Sequence, residues 1–341
     1  MAGKIVAFGE IMLRLVPYNF ERFTQTDRLQ ATYGGGEANV AVSLAFLGND
    51  VSFVTRLPDN PIGDAAANTL RKYGVNTDYI LRGGIRAGVY FLEHGASIRP
   101  SKVTYDRAHS AISDLQPGMI DWRTIFTDKD WFHITGITPA LSPACSEASL
   151  EAVRVAKEMG LTVSCDLNYR KKLWTREEAR KTMTALVKFT DVLISNEEDA
   201  SDVFGITAGD SDVTAGKLDQ EKYKSVAERL AALSGTPKVA ITLRESLSAS
   251  DNDWSAMLYD GSQFYVSRKY RIHLVDRVGG GDSFGAGLIH GLLSGWESQK
   301  ALEFAVAASA LKHTIPGDMN LVNESEVLAV VKGDISGRVQ R

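Results

Sequence analysis

Two features of this sequence predict an α/β fold of three layers, with helices on both faces of a mostly parallel central sheet, and a third adds a small β lid. Short β-rich runs alternate with longer segments of helical period, and parallel strands joined by helical crossovers are the arrangement that buries both. Several runs are apolar at consecutive positions, Val192-Leu193-Ile194 among them, as a strand covered on both faces must be. In two places the alternation breaks, and strand-like runs follow one another with no helix between them.

In chain order, the candidate strands of the main sheet are KIVAFGEI (4–11), VSFVTRL (51–57), WFHITGI (131–137), LTVSCDLN (161–168), DVLISNEE (191–198) and KVAITLRE (238–245). Segments such as SEASLEAVRVAKEMG (146–160) supply the helices between them. The breaks fall at residues 12–33 and 84–112, the second holding VYFLEH and SKVTYDR, and these are assigned to the lid of a single unit spanning 1–341. Residues 255–270 read as a hairpin turning at Asp260-Gly261, a late antiparallel edge of the main sheet. Residues 207–217, rich in Thr, Asp and Gly, read as a solvated loop before a helix starting near Asp219. Further on, ESQKALEFAVAASALKHTI places Leu302, Ala305, Val306 and Ala310 at core spacing along one helix face.

With 44% hydrophobic and 23% charged residues, the 341-residue chain has ordinary globular usage. A net charge of −4 leaves no basic footprint for a nucleic-acid partner. Cys145 and Cys165 have neither disulfide-framework nor zinc-site spacing, which suits a reducing cytoplasm. Glu10 and Arg14 interrupt the apolar N-terminal stretch, and no charge-free apolar run approaches the ~18 residues of a membrane span. A cytoplasmic protein is expected. Lid strands that expose their edges are expected to pair across a two-fold axis, giving a dimer or a higher homo-oligomer.

Chemistry is concentrated in two glycine triplets, YGGGEANVAVSLAFLG at 33–48 and DRVGGGDSFGAGLIHGLLSG at 276–295, each followed by an acid and an apolar helix. Glycines before a helix let amide groups converge on an anion, and the helix N-terminus adds positive potential. Either turn could hold a phosphate, or could simply be a tight turn packed closely on its helix. In the second, Asp282 would repel a phosphate unless it had another task, and an ionised carboxylate there can accept a hydroxyl proton while Gly279, Gly280 and Gly281 stabilise the transferring group. Taken alone, Asp282 also reads as an N-cap. No Gly-Lys-Ser/Thr follows either turn, and Asn39 and Phe284 spoil a Gly-x-Gly-x-x-Gly pattern.

These residues resemble the two signatures of the ribokinase-type, or phosphofructokinase-B, carbohydrate kinases: GGGEANVAVSLAFLG and DRVGGGDSFGAG, within a similarity running from about Lys4 to Val331. YFLEHGASIRPSKVTYDRAHSA, WFHITGITPAL, DLNYRKKLW and VDRVGGGDSF look most like the 2-keto-3-deoxygluconate kinases of that family. The resemblance implies ATP with Mg²⁺, with a monovalent cation such as K⁺ as an option, and Asp282 as catalytic base. It implies a sugar site at Gly34, Gly35, Gly36 and Asn39, joined by Tyr90, Tyr105 and Arg107 from the lid and by Arg170. It places Asn168, Asn196, Arg244, Gly279 and Gly281 on the nucleotide. An Arg fork and Tyr hydroxyls suit the carboxylate and polar edge of a sugar acid. As bare sequence, the two tyrosines equally fit ordinary strand aromatics, Arg107 a solvated charge and Asn39 a helix cap.

Three departures from the family pattern stand out. Where the family has Asn-x-x-Glu, SNEEDA has Asn196 followed by Asp199, so Asp199 or Glu198 is expected to organise Mg²⁺ through water. Arg14 stands where neutral-sugar kinases place an Asp, which favours an anionic substrate unless Arg14 merely points to solvent. ITLRES has Arg244 where relatives have glycine, beside the nucleotide. His273 and His313 receive no catalytic role, and GDMN (317–320) is expected to border the nucleotide. The functions carried forward are a sugar-acid kinase, a fructokinase or ribokinase acting on a neutral sugar, and a non-catalytic sugar sensor.

Overall fold

The computed structural model describes residues 2–196, 198–207, 220–334 and 337; most of the loop expected at 207–217 lies outside them. The strands, in chain order, are β1 (Lys4–Phe8), β2 (Met12–Pro17), β3 (Leu29–Gly34), β4 (Asp50–Leu57), β5 (Ile80–Arg82), β6 (Val89–Glu93) and β7 (Lys102–Asp106). They continue with β8 (Trp131–Thr135), β9 (Thr162–Asp166), β10 (Val192–Ser195), β11 (Lys238–Ser246), β12 (Asp251–Tyr259), β13 (Phe264–Val266) and β14 (Tyr270–His273). The main sheet runs β13-β12-β11-β10-β9-β8-β1-β4-β5, with β14 paired to the other end of β12. From β5 to β11 every pairing is parallel, and β12 to β14 form an antiparallel edge. All six strands read from the sequence lie in this sheet, and the expected hairpin is its antiparallel edge.

Among the described residues ten α-helices cover it: α1 (Gly36–Phe46), α2 (Pro61–Lys72), α3 (Trp122–Phe126), α4 (Pro143–Glu158), α5 (Arg176–Leu186), α6 (Asp199–Phe204), α7 (Gln220–Ser234), α8 (Gly280–Leu293), α9 (Ser298–Lys312) and α10 (Glu324–Val331). Residues of α1, α2, α8, α9 and α10 share one apolar core, and those of α3 to α7 share the other. Local chemistry sets several helix starts. Asn60 and Ser142 cap α2 and α4 just before a proline, and Thr175 with Glu178 and Asn323 with Glu326 form capping boxes on α5 and α10. The helix expected to be amphipathic, α9, is instead buried around most of its circumference, with Phe304 to Ala310 all inside. Its alanines explain this: Gly287 and Gly291 of α8 let the two backbones approach so closely that a Cβ at either would lie 2.8 Å from Ala305 or Ala301. That contact fixes the start of α8 beneath the sheet ends.

The two breaks in alternation form a second sheet of four strands in the order β3-β2-β6-β7. Its inner face carries Met12, Val16, Tyr90 and Leu92, with Val103 and Tyr105 packed against them. The main sheet begins at an interior strand, third from the β5 edge, and the chain departs from β1 first toward β4 and β5 and later toward β8. A crevice at the C-terminal ends of the strands where that direction reverses is where open α/β sheets bind ligands.

Candidate active site

A cavity of about 340 Å³ opens at those strand ends, between the main sheet and the small one, within the size range of small-ligand sites. Loops after β1, β8, β9, β10 and β11 contribute Glu10, Ile137, Asn168, Arg170, Asn196 and, near the end of β11 itself, Arg244. The lid supplies Tyr90, Tyr105 and Arg107, and the glycine turns supply Gly35, Gly36, Gly279, Gly280 and Gly281. Both triplets are thus brought into one cavity although more than 240 residues separate them.

The link between them is direct. Asn39, in the first turns of α1, accepts from the Gly35 amide (3.3 Å) through its side-chain oxygen and donates through Nδ2 to Asp282 Oδ2 at 2.7 Å. Its cap-like bond and its contact with the acid therefore coexist. Gly35 must be glycine, because a Cβ there would stand 1.9 Å from the Glu10 carbonyl oxygen. In the second turn Gly279, not Asp282, is the N-cap of α8. It sits at φ 84°, and a Cβ would fall 1.8 Å from the Asp318 carbonyl oxygen. Asp282 follows in the first turn, where the amides of Gly281 and Asp282 have no carbonyl within the helix to bond. A Cβ on Gly281 would meet nothing within 4 Å, so this glycine leaves room in the cavity.

Burial raises Asp282 from an ordinary carboxylate to a pKa of about 6; the Asn39 bond and the Arg170 charge pull it down, while Asp318 and Glu37 push it up. It remains mostly ionised at neutral pH and is a stronger proton acceptor than an exposed aspartate. Asp166, also in the lining, is raised well above the ordinary carboxylate range, first by burial and then by the charges of Asp199 and Asp282. Asn168 holds the same loop at φ 39°, its amide donating to Asp166 Oδ1 at 3.0 Å.

Of the residues expected at the site, Gly34, Asp199 and Glu198 do not line the cavity. A Cβ at Gly34 would strike the Asp318 carboxylate. Asp199 is buried and accepts from the Tyr169 amide, while Glu198 is exposed at the start of α6. Asn196 caps that turn, accepting from the Glu198 and Asp199 amides at 2.8 Å each. Arg14 corrects a sequence expectation: it neither reaches solvent nor lines the cavity, and it is buried between Asp276 and Asp318. Its charge is spent inside the fold and gives no support to an anionic substrate. Tyr90 donates to Asp318 (2.5 Å), so its hydroxyl is engaged, and Tyr105 lies under the Arg107 guanidinium at 5.3 Å. Arg107 is paired with Glu10, which also accepts from Ser110, yet its Nε is buried with no hydrogen-bond partner. Of GDMN, Asp318 lines the cavity at the Arg14 and Tyr90 contacts.

Sequence reasoning passed over Glu37, Thr242, Asn252, Trp254 and Arg277, all in the lining. Glu37 was legible as the first triplet's counterpart of Asp282. It is buried and accepts from the Thr135 and Thr138 hydroxyls at 2.7 Å each, and burial raises its pKa. Asn252 and Trp254 carry no motif; only strand alternation, two residues apart on β12, places them on one face. The unassigned histidines separate: His273 is exposed beside Asp251, whereas His313 lies in the lining against Gly280, bonded to the Ser309 carbonyl and held neutral by burial, with its pKa near 4. Among the described residues no cluster of three or more His, Cys, Asp or Glu is arranged to hold a metal ion, and no helix is long and apolar enough to cross a membrane.

The architecture has close counterparts. A solved structure of 2-dehydro-3-deoxygluconokinase from Thermotoga maritima superposes with a TM-score of 0.94 at 52% identity, covering 98% of this chain and 99% of that one. A 2-dehydro-3-deoxygalactonokinase from Haloferax volcanii is 33% identical over 337 residues, 99% of each chain. A 5-dehydro-2-deoxygluconokinase from Clostridium perfringens is 28% identical over 331 residues, 93% of this chain and 90% of its own length. Residues 2–325 match the pfkB family of carbohydrate kinases. With both glycine turns meeting across Asn39 and Asp282 at the C-terminal ends of a parallel sheet, the chain belongs to the pfkB family carbohydrate kinases.

Proposed function

We propose that this protein transfers the γ-phosphoryl group of ATP to a hydroxyl of a sugar acid, most plainly the terminal hydroxyl of 2-keto-3-deoxygluconate (2-dehydro-3-deoxygluconate) to give its 6-phosphate. The observation that carries the reading is the 2.7 Å contact of Asn39 with Asp282, which puts the acceptor of the hydroxyl proton beside the turn expected to hold the sugar. The substrate named for the Thermotoga maritima and Haloferax volcanii relatives is a ketodeoxy sugar acid, and the cavity offers Arg170 and the buried Nε of Arg107 to a carboxylate. Asp282 takes the proton as the sugar oxygen bonds to phosphorus, and the amides of Gly281 and Asp282 at the N-terminus of α8 stabilise the charge on the phosphoryl oxygens.

Mg²⁺ would arrive with the nucleotide. Asp166, in the lining and raised first by burial and then by the charges of Asp199 and Asp282, would hold it through water; its chemistry is to offset phosphate charge. A monovalent cation such as K⁺ is an optional part of the same reading. The unit spans 1–341, with the small sheet closing over the sugar, as a cytoplasmic homo-oligomer.

A neutral sugar, as a fructokinase or ribokinase would take, is the second reading, favoured by the Glu10 carboxylate that already neutralises Arg107. Turnover of ketodeoxygluconate, ketodeoxygalactonate, fructose and ribose with ATP separates the two. Arg107→Ala is expected to lower kcat/KM for the sugar acids by about 10²-fold, the loss of a charge-assisted fork, while leaving residual ketose turnover unchanged. An equal loss on fructose sinks the carboxylate assignment, and no ADP from any sugar revives a non-catalytic sensor.

A further inference from the structure

The cavity contains a cation for which the described residues provide no paired counter-charge. Arg277, two residues before the Gly279 turn, lines the cavity and is half-buried. Among the described residues it makes no salt bridge and no side-chain hydrogen bond. Two other lining arginines differ: Arg107 is paired with Glu10, and Arg170 donates to the Tyr169 carbonyl. A guanidinium withdrawn from water without a partner is costly to keep. Burial followed by the nearby charge of Arg244 lowers the pKa of Arg277, so its surroundings add repulsion. Neighbouring groups in the same wall point the same way. His313 packs on Gly280, Trp254 lies tilted against His313 at 5.0 Å, and the buried Trp254 Nε1 has no acceptor among the described residues.

We propose that Arg277 binds the polyphosphate of the nucleotide and offsets charge on the phosphoryl group in flight. In this chain it performs the task that a lysine performs in a Walker turn. The inference rests on the kinase reading above and names a residue for it. In the step, the sugar oxygen forms a bond to the γ-phosphorus and its proton passes to Asp282. The bond from that phosphorus to the β,γ-bridging oxygen breaks, its electron pair staying on the departing ADP. Arg277 forms no covalent bond. Its planar fork pairs with phosphate oxygens, while the amides of Gly281 and Asp282 meet others.

The test is calorimetric titration of the full chain with a non-hydrolysable ATP analogue and with AMP, in the presence of Mg²⁺. Arg277→Gln is expected to weaken the analogue by about 10- to 100-fold, the loss of one charge-assisted phosphate contact, and to change AMP by less than about 3-fold. Arg277→Lys should recover part of the loss, and thermal unfolding verifies that each variant is folded. Kinetics should give a lower kcat together with a higher KM for ATP, with KM for the sugar unchanged. Undiminished affinity of Arg277→Gln for the analogue overturns the proposal, as does an equal loss for AMP, which would mark a structural role. Should the wild type bind the analogue tightly and Arg277→Gln lose it, while no sugar acid is phosphorylated, the substrate reading fails and the Arg277 assignment stands.

Discussion

Two groups of buried charge meet at Asp318 and differ in how they are neutralised. Beneath the small sheet, Arg14 lies between Asp276 and Asp318, the Tyr90 hydroxyl and the Gly317 amide complete those carboxylates, and the Lys312 ammonium is held by the Asp276 and Ile315 carbonyls. Across the cavity, among the described residues, Arg277 makes no salt bridge or side-chain hydrogen bond, Arg170 donates to a carbonyl alone, and Asp282 has a single donor in Asn39. A desolvated charge with its counter-charge built in belongs to the fold, because nothing further can bind to it without breaking a pair. A desolvated charge without one is held ready for a ligand, and the rest of the structure bears the cost. The first group should therefore govern stability and the second activity.

Asp282→Asn tests the second half of that division with the largest expected effect. Turnover should fall by about 10²- to 10⁴-fold, the usual weight of a general base, with substrate KM changed by no more than a few-fold. Stability should move the other way. The folded pKa of about 6 lies above the ordinary value of 3.8, so the folded state favours the protonated acid. That contribution is present below pH 4 and is lost as pH rises through 6, leaving the ionised carboxylate a liability at pH 7.5. Thermal unfolding of Asp282→Asn at pH 7.5 should thus occur no lower than in the wild type. In the wild type, kcat/KM should fall tenfold per pH unit below about 6; a flat profile down to pH 5 would remove Asp282 as the base.

Arg14→Met breaks the comparison from its other side. It leaves Asp276 and Asp318 buried against each other without the guanidinium, a loss of about 3–5 kcal/mol for a pair broken on one side, read as a clear drop in the denaturant midpoint. Surviving folded enzyme should keep the acid limb of its pH profile, because Arg14 does not line the cavity. If Arg14→Met proved as stable as the wild type but inactive, the two groups of charge would not be separable in this way.

The sequence carried the sheet, both lid segments and the two glycine turns, because alternation, two-faced apolar strands and glycine before a helix are local patterns. It misjudged what depends on distant partners. Arg14 reads as a free charge until the fold delivers Asp276 and Asp318 from 262 and 304 residues away. Arg277 sits inside the most recognisable motif of the chain, yet its meaning lies in the lack of a carboxylate partner among the described residues, which the motif does not show. Asp282 reads in the sequence as an ionised carboxylate, and the burial that raises its pKa requires a tertiary structure to assess. Asp199 shows the converse: its spacing from Asn196 is legible, but the loop turns it toward the Tyr169 amide and away from the cavity.

The finest test lies at the one bond that joins the two turns. Asn39 donates to Asp282 and so holds its pKa below what burial alone would set. Asn39→Ala removes a donor from the charged form, and the pKa must rise, because hydrogen bonding to a carboxylate favours ionisation. The acid limb of kcat/KM should move up by about half a unit to one unit, the equivalent of roughly 1 kcal/mol, while the rate at pH 8.5, where Asp282 is ionised in either protein, falls only a few-fold. Asn39→Asp should move the limb further in the same direction, since a second carboxylate at 2.7 Å disfavours ionisation of the pair. A limb that stays in place in both variants would mean that Asn39 serves the Gly35 turn alone and that the proton acceptor is set by α8 without help from the sugar side.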